Sequence, residues 1–258
     1  MQFYYDFHTH SCLSPCGDND MTPYNLVNMA KLLGLDIIAL TDHNTCENCA
    51  SAIKVGESIG ITVIPGMELC TSEEVHVVCL FDNIENAMRF SDHVISTMPP
   101  VKNRPEIFGE QLIMDEEDNV IGKQEKLLTL ASAISISDVC KTVENYGGVC
   151  YPAHIDRSSY SVLSNLGMIT EDMGFSAVEM TSEADREALI NMHPILDGVP
   201  IFVDSDAHYL ENIKDAENTI DLPEKTGENS PENSIDEWHD YCILNRADNT
   251  VQHPVSMT

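Results

Sequence analysis

Short apolar runs alternate with segments of helical apolar spacing along the first part of the chain. The runs at residues 3–7, 35–40 and 61–64 predict β-strands, and the segments between them predict helices. The first helix has a clear start, because Thr22 is suited to the N-cap and Pro23 to the first helical position. Strands joined by helices in this order are typical of parallel strands with helical crossovers.

The same alternation continues further along the chain, with one interruption. Additional strands are predicted at residues 75–81, 149–153, 177–180 and 201–203. The interruption lies at about residues 99–135, where two apolar runs face each other across an acidic turn and predict an inserted hairpin and loop. About seven strands with intervening helices indicate an α/β fold, namely a closed or nearly closed, TIM-like β/α barrel.

The last part of the chain has a different composition. Residues 223–258 are polar, acidic and rich in Asn, Ser and Pro, which favours a C-terminal tail that covers the surface or is partly disordered. We therefore expect one barrel domain over residues 1–222, including the inserted segment, followed by this acidic tail.

Acidic residues dominate the charge of the chain. Its 258 residues include 43 Asp and Glu against 13 Lys and Arg, for a formal net charge of −30. A broad phosphate footprint needs a basic surface, so we expect neither extended duplex nucleic acid nor an anionic membrane surface as a partner. The sequence has no apolar stretch of roughly 18 residues and no leader-like N-terminus, and we expect a cytoplasmic protein. Nine cysteines, an odd number, fit reduced thiols in that compartment.

Residues of the types that bind metals fall at the ends of the predicted strands. They are His8, His10, His43, Glu68, His76, His154, Asp206 and His208. His8 and His10 are two residues apart on a strand, so both side chains face the same side of the sheet. The carboxyl ends of barrel strands carry active sites, and imidazoles and carboxylates that converge there bind divalent cations. A lone His-x-His pair is a weak signal, but ligand-type residues at six separate strand ends together predict a metal centre.

The motifs around these residues follow a particular order. They are Asp6-Phe7-His8-Thr9-His10, Thr41-Asp42-His43, Gly66-Met67-Glu68, His76, Pro152-Ala153-His154 and Ser205-Asp206-Ala207-His208. In this order they resemble the motifs of the PHP (polymerase and histidinol phosphatase) family, over residues 3 to about 220. The resemblance implies a distorted seven-stranded barrel with a trinuclear centre of Zn, Mn or Fe that hydrolyses phosphoesters. Without polymerase motifs, the chain is most similar to stand-alone members, some of which hydrolyse nucleoside bisphosphates or short oligoribonucleotides.

The resemblance also implies how the ligands are shared between two or three divalent ions. One metal is matched by His8, His10, Glu68 and Asp206, and the others by His43, His76, His154 and His208. Glu68 matches a carboxylate that bridges two of the ions. The family has a further Asp in a short Ser-Asp-Gly turn after its first motif. The loop of this chain is longer there, and its length favours Asp18, with Asp20 as the rival.

Three residues of the predicted centre are candidates for catalysis. Clustered divalent ions lower the pKa of bound water and neutralise phosphoryl oxygens, and Asp206 or His208 could relay the proton. Arg157, three residues past His154, could clamp a substrate phosphate or form a surface ion pair. Because the ions concentrate positive charge at one place, we expect a small phosphorylated substrate or a short oligonucleotide despite the acidic composition.

Four cysteines closely follow the first two motifs. Cys12 and Cys16 come after the first, and Cys46 and Cys49 come after the second. Four thiolates could hold a structural zinc ion or an iron–sulfur cluster, although their spacing is looser than that of a zinc ribbon. Four free thiols are the alternative.

Three other functions are compatible with these motifs. Histidinol-phosphate phosphatase activity would use the same barrel and metals. A non-catalytic metal-binding PHP module that serves a partner is an alternative of another class, although the complete ligand set argues against it. A metal-dependent amidohydrolase barrel is the third, but such barrels lack the paired Asp-x-His ending. The sequence leaves open the metal identity, the physiological substrate and the oligomeric state.

Overall fold

A mixed α/β arrangement is seen in the computed structural model of the protein, which describes residues 1–182 and 184–222. The strands are β1 (Gln2–Thr9), β2 (Ile37–Leu40), β3 (Thr62–Cys70), β4 (His76–Phe81), β5 (Leu112–Met114), β6 (Val120–Lys123), β7 (Gly148–Pro152), β8 (Val178–Glu179), β9 (Ile201–Phe202) and β10 (Thr219–Asp221). The helices are α1 (Pro23–Leu32), α2 (Cys49–Ile59), α3 (Ile84–Thr97), α4 (Pro105–Phe108), α5 (Ile136–Glu144), α6 (Val162–Leu166) and α7 (Arg186–Met192). The predicted C-terminal tail lies outside the described residues.

Helix boundaries follow the signals in the sequence. Thr22 caps α1, since its Oγ1 accepts a hydrogen bond from Asn25 N at 3.1 Å. Gly60 ends α2 in the left-handed conformation, with a φ of 73°. None of the described helices has both the length and the apolar composition that a membrane span requires.

Six strands form one curled sheet in the order β10-β1-β2-β3-β4-β7. Strands β1, β2 and β3 run parallel, as the alternation of strands and helices predicts. β4 is antiparallel to both β3 and β7, because the turn between Cys70 and His76 is too short for a helical crossover. β10 pairs antiparallel with β1 at the other edge.

The α/β class is confirmed, whereas the exact seven-stranded, TIM-like barrel is not confirmed by the described residues, whose large sheet has six strands. β8 and β9 make a separate parallel pair. Backbone hydrogen bonds connect β8 and the segment after β9 to the residues that follow β7 and β1 of the large sheet. Ile155 N donates to Glu179 O at 2.9 Å, and His10 N donates to Ala207 O at 3.0 Å. The pair therefore lies between the carboxyl ends of β7 and β1.

Apolar residues cover both faces of the curled sheet. The core on one face includes Tyr5, Phe7, Ile37, Ala39, Ile64, Val78, Leu80, Tyr151 and Phe202. Tyr5 and Phe7 stack there, with ring centroids 4.4 Å apart. The other face packs against the helices, for example through Ile38 of β2 and Leu26 of α1. Burial of both faces explains why the strand sequences are continuous apolar runs.

A bulge in β1 redirects the side chains at the carboxyl end of this strand. The pairing of β1 with β2 shifts by one residue between Asp6 and Thr9. Phe7 lies in the apolar core on one side of the sheet. His8 and His10 follow the shift in pairing and face the same side of the sheet as Phe7. Strict alternation would turn His8 away from the face that Phe7 occupies. The bulge therefore allows one strand to supply both the core and the histidines above it.

The inserted segment contains the predicted hairpin and packs on the loop that follows β1. β5 and β6 pair antiparallel. Leu112 N donates a hydrogen bond to Cys12 O at 3.0 Å. Gly109 approaches the same loop so closely that a Cβ atom at this position would lie 2.1 Å from Pro15 O. The insertion therefore supports the loop that borders the predicted metal centre.

Candidate metal centre

The carboxylate of Glu68 lies at the centre of a histidine cluster. Its Oε2 is 2.8 Å from His43 Nδ1, and its Oε1 is 2.8 Å from His76 Nδ1. His154 Nε2 lies 3.1 Å from the same Oε1. The other imidazoles within 3.4 Å of this carboxylate are those of His8 and His10. Five imidazoles thus surround one buried carboxylate.

Strand directions explain why these side chains meet at one edge of the sheet. β4 runs opposite to β3, so His76, its first residue, lies at the edge where the parallel strands end. His154 follows β7, which is again parallel to β3. Glu68 lies inside β3 instead of after it, since the strand continues to Cys70. The predicted convergence therefore depends in part on an antiparallel strand, which the sequence analysis did not predict.

Three overlapping groups of ligand-type residues have donor atoms that lie within 4.8 Å of one another. The groups are His8, His10, Glu68 and Asp206; His43, Glu68 and His76; and His10, His43 and His208. Shared members join the three groups into one cluster. Together with His154, this cluster brings together all of the predicted ligands except Asp18.

Several buried polar atoms of this cluster lack a hydrogen-bond partner in the described residues. They are Glu68 Oε2, His43 Nδ1, His154 Nδ1 and Asp206 Oδ1. Glu68 Oε2 and His43 Nδ1 lie only 2.8 Å apart, but they do not meet the angular requirements of a hydrogen bond. Buried polar atoms are rarely left without partners, and Glu68, His43 and Asp206 all belong to the ligand groups. Imidazole nitrogens and carboxylate oxygens in this arrangement fit divalent cations such as Zn²⁺.

An outer layer of polar side chains orients the histidines of β1. His8 Nδ1 lies 2.8 Å from Glu179 Oε2, and His10 Nδ1 lies 2.9 Å from Ser14 Oγ. Ser14 Oγ in turn donates to Asp42 Oδ1 at 2.7 Å. With Nδ1 protonated in both rings, as these partners favour, the lone pairs of the two Nε2 atoms face the cluster. Such outer partners fix the imidazole tautomer and raise ligand basicity at metal sites.

The sequence analysis missed these supporting residues. Glu179 lies in β8, within the strand that the sequence predicts at residues 177–180, and is buried. A carboxylate in an otherwise apolar strand was the available signal, because such a group needs a polar partner when it is buried. Ser14 and Asp42 lie within or beside the predicted motifs, but nothing in their spacing indicates which histidine they support.

Electrostatic interactions outweigh the effect of burial on the pKa values of Glu68 and His8. Burial raises the pKa of Glu68, but His76, His8 and His43 outweigh burial and hold that pKa well below its usual value. Burial lowers the pKa of His8, yet Glu179, Asp206 and Glu68 outweigh it and hold that pKa well above its usual value. The carboxylate at the centre of the cluster is therefore ionised at neutral pH.

Two further buried acids position the segment that carries Asp206 and His208. Asp204 Oδ1 accepts a hydrogen bond from Phe7 N at 2.7 Å, and Asp6 Oδ1 accepts one from Ser205 N at 3.1 Å. Burial raises the pKa of Asp204 well above its usual value, and the nearby carboxylates raise it further. These contacts connect β1 to the segment after β9 and fix the approach of Asp206 to the histidines.

The three predicted catalytic residues lie next to one another at the mouth of the cluster. Asp206 Oδ1 is 3.0 Å from His10 Nε2, and Asp206 adopts a left-handed φ of 50°, which is uncommon for a residue other than glycine. Arg157 Nη1 donates to Asp206 Oδ2, and the Arg157 side chain is 44% exposed. His208 Nδ1 lies 2.9 Å from Asp206 O. The ion pair of Arg157 thus lies at the candidate centre and not elsewhere on the surface.

Asp18 and Asp20 lie outside the three groups found among the described residues. Asp18 Oδ1 accepts a hydrogen bond from Asp20 N at 2.8 Å, and Asp18 N donates to His208 O at 2.9 Å. Asp20 is exposed. The assignment of Asp18 as a ligand stays a prediction. From the same loop it is Cys16 that contacts the histidines, since its Sγ lies 3.1 Å from His208 Nε2.

The four cysteines near the motifs are not gathered into one thiolate cluster. Cys46 and Cys49 are buried, and both thiols contact Gly66 O, at 3.1 and 3.5 Å. Cys12 is buried elsewhere, beside Leu112 O, and burial raises the pKa of its thiol to about 12. No group of metal ligands found in residues 1–182 and 184–222 includes a cysteine. These contacts favour free thiols for the three buried residues.

The fold and the cluster define an α/β protein whose clustered His, Glu and Asp side chains could bind metal. The sequence model of the PHP domain family matches residues 6–146, which is more than half of the chain. The chain therefore belongs to the PHP domain family, as the order of its motifs predicts.

Relatives in this family carry the names of nucleases. The 5'-3' exoribonuclease Rnm of Salmonella typhimurium is 30% identical over 139 residues, which cover 52% of this chain and 45% of that protein. The chain spans half or less of the length of the curated relatives it matches. The likeness therefore concerns a part of each relative.

Solved structures share the fold over most of the chain. Endonuclease Q of Pyrococcus furiosus has a TM-score of 0.59 at 17% identity, covering 81% of this chain and 49% of that chain. A protein of Bifidobacterium adolescentis that is described as a metal-dependent phosphoesterase has a TM-score of 0.57 at 18% identity. The latter match covers 93% of this chain and 96% of that one. At these identities the likeness shows the fold alone.

One of these comparisons bears on the partners expected from composition. Endonuclease Q has also been solved in complex with a 27-mer duplex that has an abasic lesion at the active site, and that chain has the same TM-score of 0.59. A chain of this fold therefore binds a duplex. The expectation that acidic composition excludes extended duplex nucleic acid is not supported.

Proposed function

We propose that this protein is a metal-dependent phosphoesterase that hydrolyses phosphate esters of nucleotide-type substrates. The observation that carries the proposal is the set of three overlapping ligand groups around Glu68. A single tetrahedral ion uses four ligands, so a cluster of this size suits two or three ions. Adjacent cations are the arrangement used for phosphoryl displacement, because both attacking and leaving oxygens carry negative charge.

The residues of this chain have distinct tasks in the proposed reaction. Bound divalent ions would supply Lewis acidity and a water molecule of lowered pKa. Glu68 holds negative charge between the histidine groups, and Glu179 fixes the tautomer of His8. Asp206 accepts the proton that is released, and Arg157 keeps this carboxylate oriented.

The substrate phosphate would bind in the pocket beside the cluster. Arg157 and Lys214 provide two cations in its lining, and Ser182 provides a hydroxyl. Arg157 is half exposed, so its remaining N–H groups can donate to phosphate oxygens. This pocket also contains Asp204 and Asp206, and their negative charge limits phosphate binding in the absence of cations. His208, whose side chain is 21% exposed, lies beside Asp206 and belongs to one of the three ligand groups.

An exposed aromatic ring favours a nucleotide over a simple phosphate ester. Tyr160 stacks on His76 with ring centroids 4.7 Å apart, and the residue is 44% exposed. The ring therefore touches the cluster while part of its surface faces solvent. Stacking of a base on an aromatic ring requires no particular base sequence. We infer that Tyr160 binds the base of a nucleotide whose phosphate lies at the cluster.

Elemental analysis tests the number of metals. We expect two or three divalent ions, with Zn, Mn and Fe as the candidates, per chain after anaerobic purification and reconstitution, because the cluster has too many donors for one ion. A stoichiometry that stays at one or below would contradict the proposed multinuclear centre. The His76→Ala variant, which removes one member of a single group, should lose about one ion.

Tyr160→Ala tests base stacking. A lost stacking interaction of about 1–3 kcal/mol should raise KM for a nucleoside bisphosphate roughly 5- to 150-fold. KM for glycerol phosphate should stay within about twofold, because this ester has no ring to stack. Tyr24→Ala, at an exposed tyrosine of α1, is the matched control. Equal effects of Tyr160→Ala on both substrates would contradict a role in base binding.

A substrate panel tests the function as a whole. Phosphate release or cleavage is measured with nucleoside bisphosphates, short oligoribonucleotides, histidinol phosphate and a duplex with an abasic site, in the presence of Mn, Zn or Fe. We expect nucleotide substrates to have at least about tenfold higher kcat/KM than histidinol phosphate. A preference for histidinol phosphate would assign that activity instead. No hydrolysis of any substrate by fully loaded protein would indicate a non-catalytic metal-binding module.

A further inference from the structure

The loop after β1 folds back over the histidine cluster. Ser14 N donates to Ser11 O at 3.1 Å, and Gly17 N donates to Ser14 O at 2.8 Å, so the loop forms two successive turns. Gly17 is required by this packing, because a Cβ atom there would lie 2.6 Å from Ser11 O. These turns place Cys16 at the rim of the cluster, where the residue is exposed.

The sulfur atom of Cys16 approaches one of the three ligand groups. Cys16 Sγ lies 3.1 Å from His208 Nε2, whereas His208 Nδ1 is already paired with Asp206 O. His208 belongs with His10 and His43 to one of the three ligand groups. The rings of His10 and His208 are stacked, with centroids 4.1 Å apart. Cys16 thus lies next to this group through His208, although it is not among the residues whose donor atoms all lie within 4.8 Å of one another.

We propose that the thiolate of Cys16 is a ligand of the cation bound by His43 and His208. The proposal rests on the metal centre of the proposed function and fills the position for which the sequence favoured Asp18. Coordination forms one sulfur–metal bond and releases the thiol proton to solvent, with no change of oxidation state. Asp18 Oδ1 accepts a hydrogen bond from Asp20 N, and Asp18 is in none of the three ligand groups.

Donor geometry supports the assignment. Zinc–sulfur bonds are about 2.3 Å and zinc–nitrogen bonds about 2.0–2.1 Å, so two such donors in a tetrahedral site lie about 3.5 Å apart. The observed separation of 3.1 Å between Cys16 Sγ and His208 Nε2 needs only a small adjustment to reach this value. Because Cys16 is exposed on a loop, this adjustment does not disturb the core.

The sulfur donor has a consequence for metal selection. Thiolates favour zinc and iron, whereas carboxylates suit manganese and magnesium. The site at His43 and His208 should therefore retain zinc in competition with manganese, while the groups built from imidazole and carboxylate discriminate less. A Cys16→Asp variant should shift this site toward manganese.

Cobalt(II) titration of the full chain tests the ligand directly. The wild-type protein should develop a sulfur-to-cobalt charge-transfer band in the near-ultraviolet as the cobalt sites fill. Cys16→Ala should lack the band and bind about one cobalt ion less. Cys16→Asp should also lack the band but keep its cobalt content, because a carboxylate can replace the thiolate as a donor. Retained helix content in circular dichroism verifies that both variants are folded.

The outcomes separate this inference from the proposed function. Asn19→Ala, at an exposed residue of the same loop, is the matched control and should keep the band and the cobalt content. A wild-type protein that binds cobalt at His43 and His208 without the band, or a band that persists in Cys16→Ala, would overturn the assignment. Because the readout is spectroscopic, a band without any phosphoesterase activity would support the ligand and refute the function.

Discussion

Replacing Glu68 with Gln is expected to abolish hydrolysis and to remove at least one metal ion. The carboxylate contacts five imidazoles, and its negative charge separates the cations that the three ligand groups would hold. Loss of several kcal/mol of transition-state stabilisation corresponds to a decrease in kcat of about 10³-fold or more. Rates on a nucleoside bisphosphate and metal content are measured on the same preparations.

A control variant makes this result specific. Glu74 is an exposed carboxylate six positions further along the chain, and Glu74→Gln should retain both rate and metal content. Asp18→Asn and Asp20→Asn should have smaller effects than Glu68→Gln, because neither carboxylate lies in the cluster. Near-normal rate and metal content in Glu68→Gln, together with an inactive Asp18→Asn, would show that the bridging assignment is wrong.

A large loss of metal affinity is also expected when Glu179, whose carboxylate contacts His8 Nδ1, is replaced. In Glu179→Gln, His8 Nδ1 keeps a hydrogen-bond partner but loses the negative charge that raises the basicity of its Nε2. Outer partners of this kind typically contribute 10- to 100-fold in metal affinity, and we expect a loss of about that size. The measurement is a metal titration, followed by the rate as a function of added metal.

A positioning role for Glu179 predicts recovery at high metal concentration. The rate of Glu179→Gln should return to within about threefold of wild type once the sites are saturated, whereas Glu68→Gln should not recover. Glu187→Gln, at an exposed carboxylate of α7, serves as the control. A Glu179→Gln protein with normal metal affinity but a lost rate would instead assign this carboxylate a direct part in the reaction.

Local sequence patterns predict a large part of the fold. The apolar runs of β1, β2 and β3 and the cap at Thr22 were visible because each depends on neighbouring residues. The hairpin of β5 and β6 was predicted from its acidic turn. The direction of β4 was not, because an apolar run has the same appearance in parallel and antiparallel pairs.

Short sequence motifs predicted the ligand-type residues of the candidate site. Residues that reach the site only through tertiary contacts could not be predicted in this way. His8, His43 and Glu68 follow motif positions, so their convergence could be inferred from strand ends. Glu179 reaches His8 across a sequence separation of 171 residues, and no local pattern indicates such a contact. Cys16 was considered only as a member of a four-cysteine site, because no local pattern shows that the folded loop brings its sulfur to His208.

The bulge in β1 makes this strand sensitive to a change in length. Deleting one residue between Asp6 and Thr9 would restore strict pairing with β2 and leave a single inward position in place of two. The strand could then no longer supply both Phe7 and His8 to the same side of the sheet. Over an evolutionary or engineered series, single-residue insertions and deletions in this segment should be eliminated even where conservative replacements survive. The number of residues in β1 is therefore as much a determinant of the metal centre as their chemical identity.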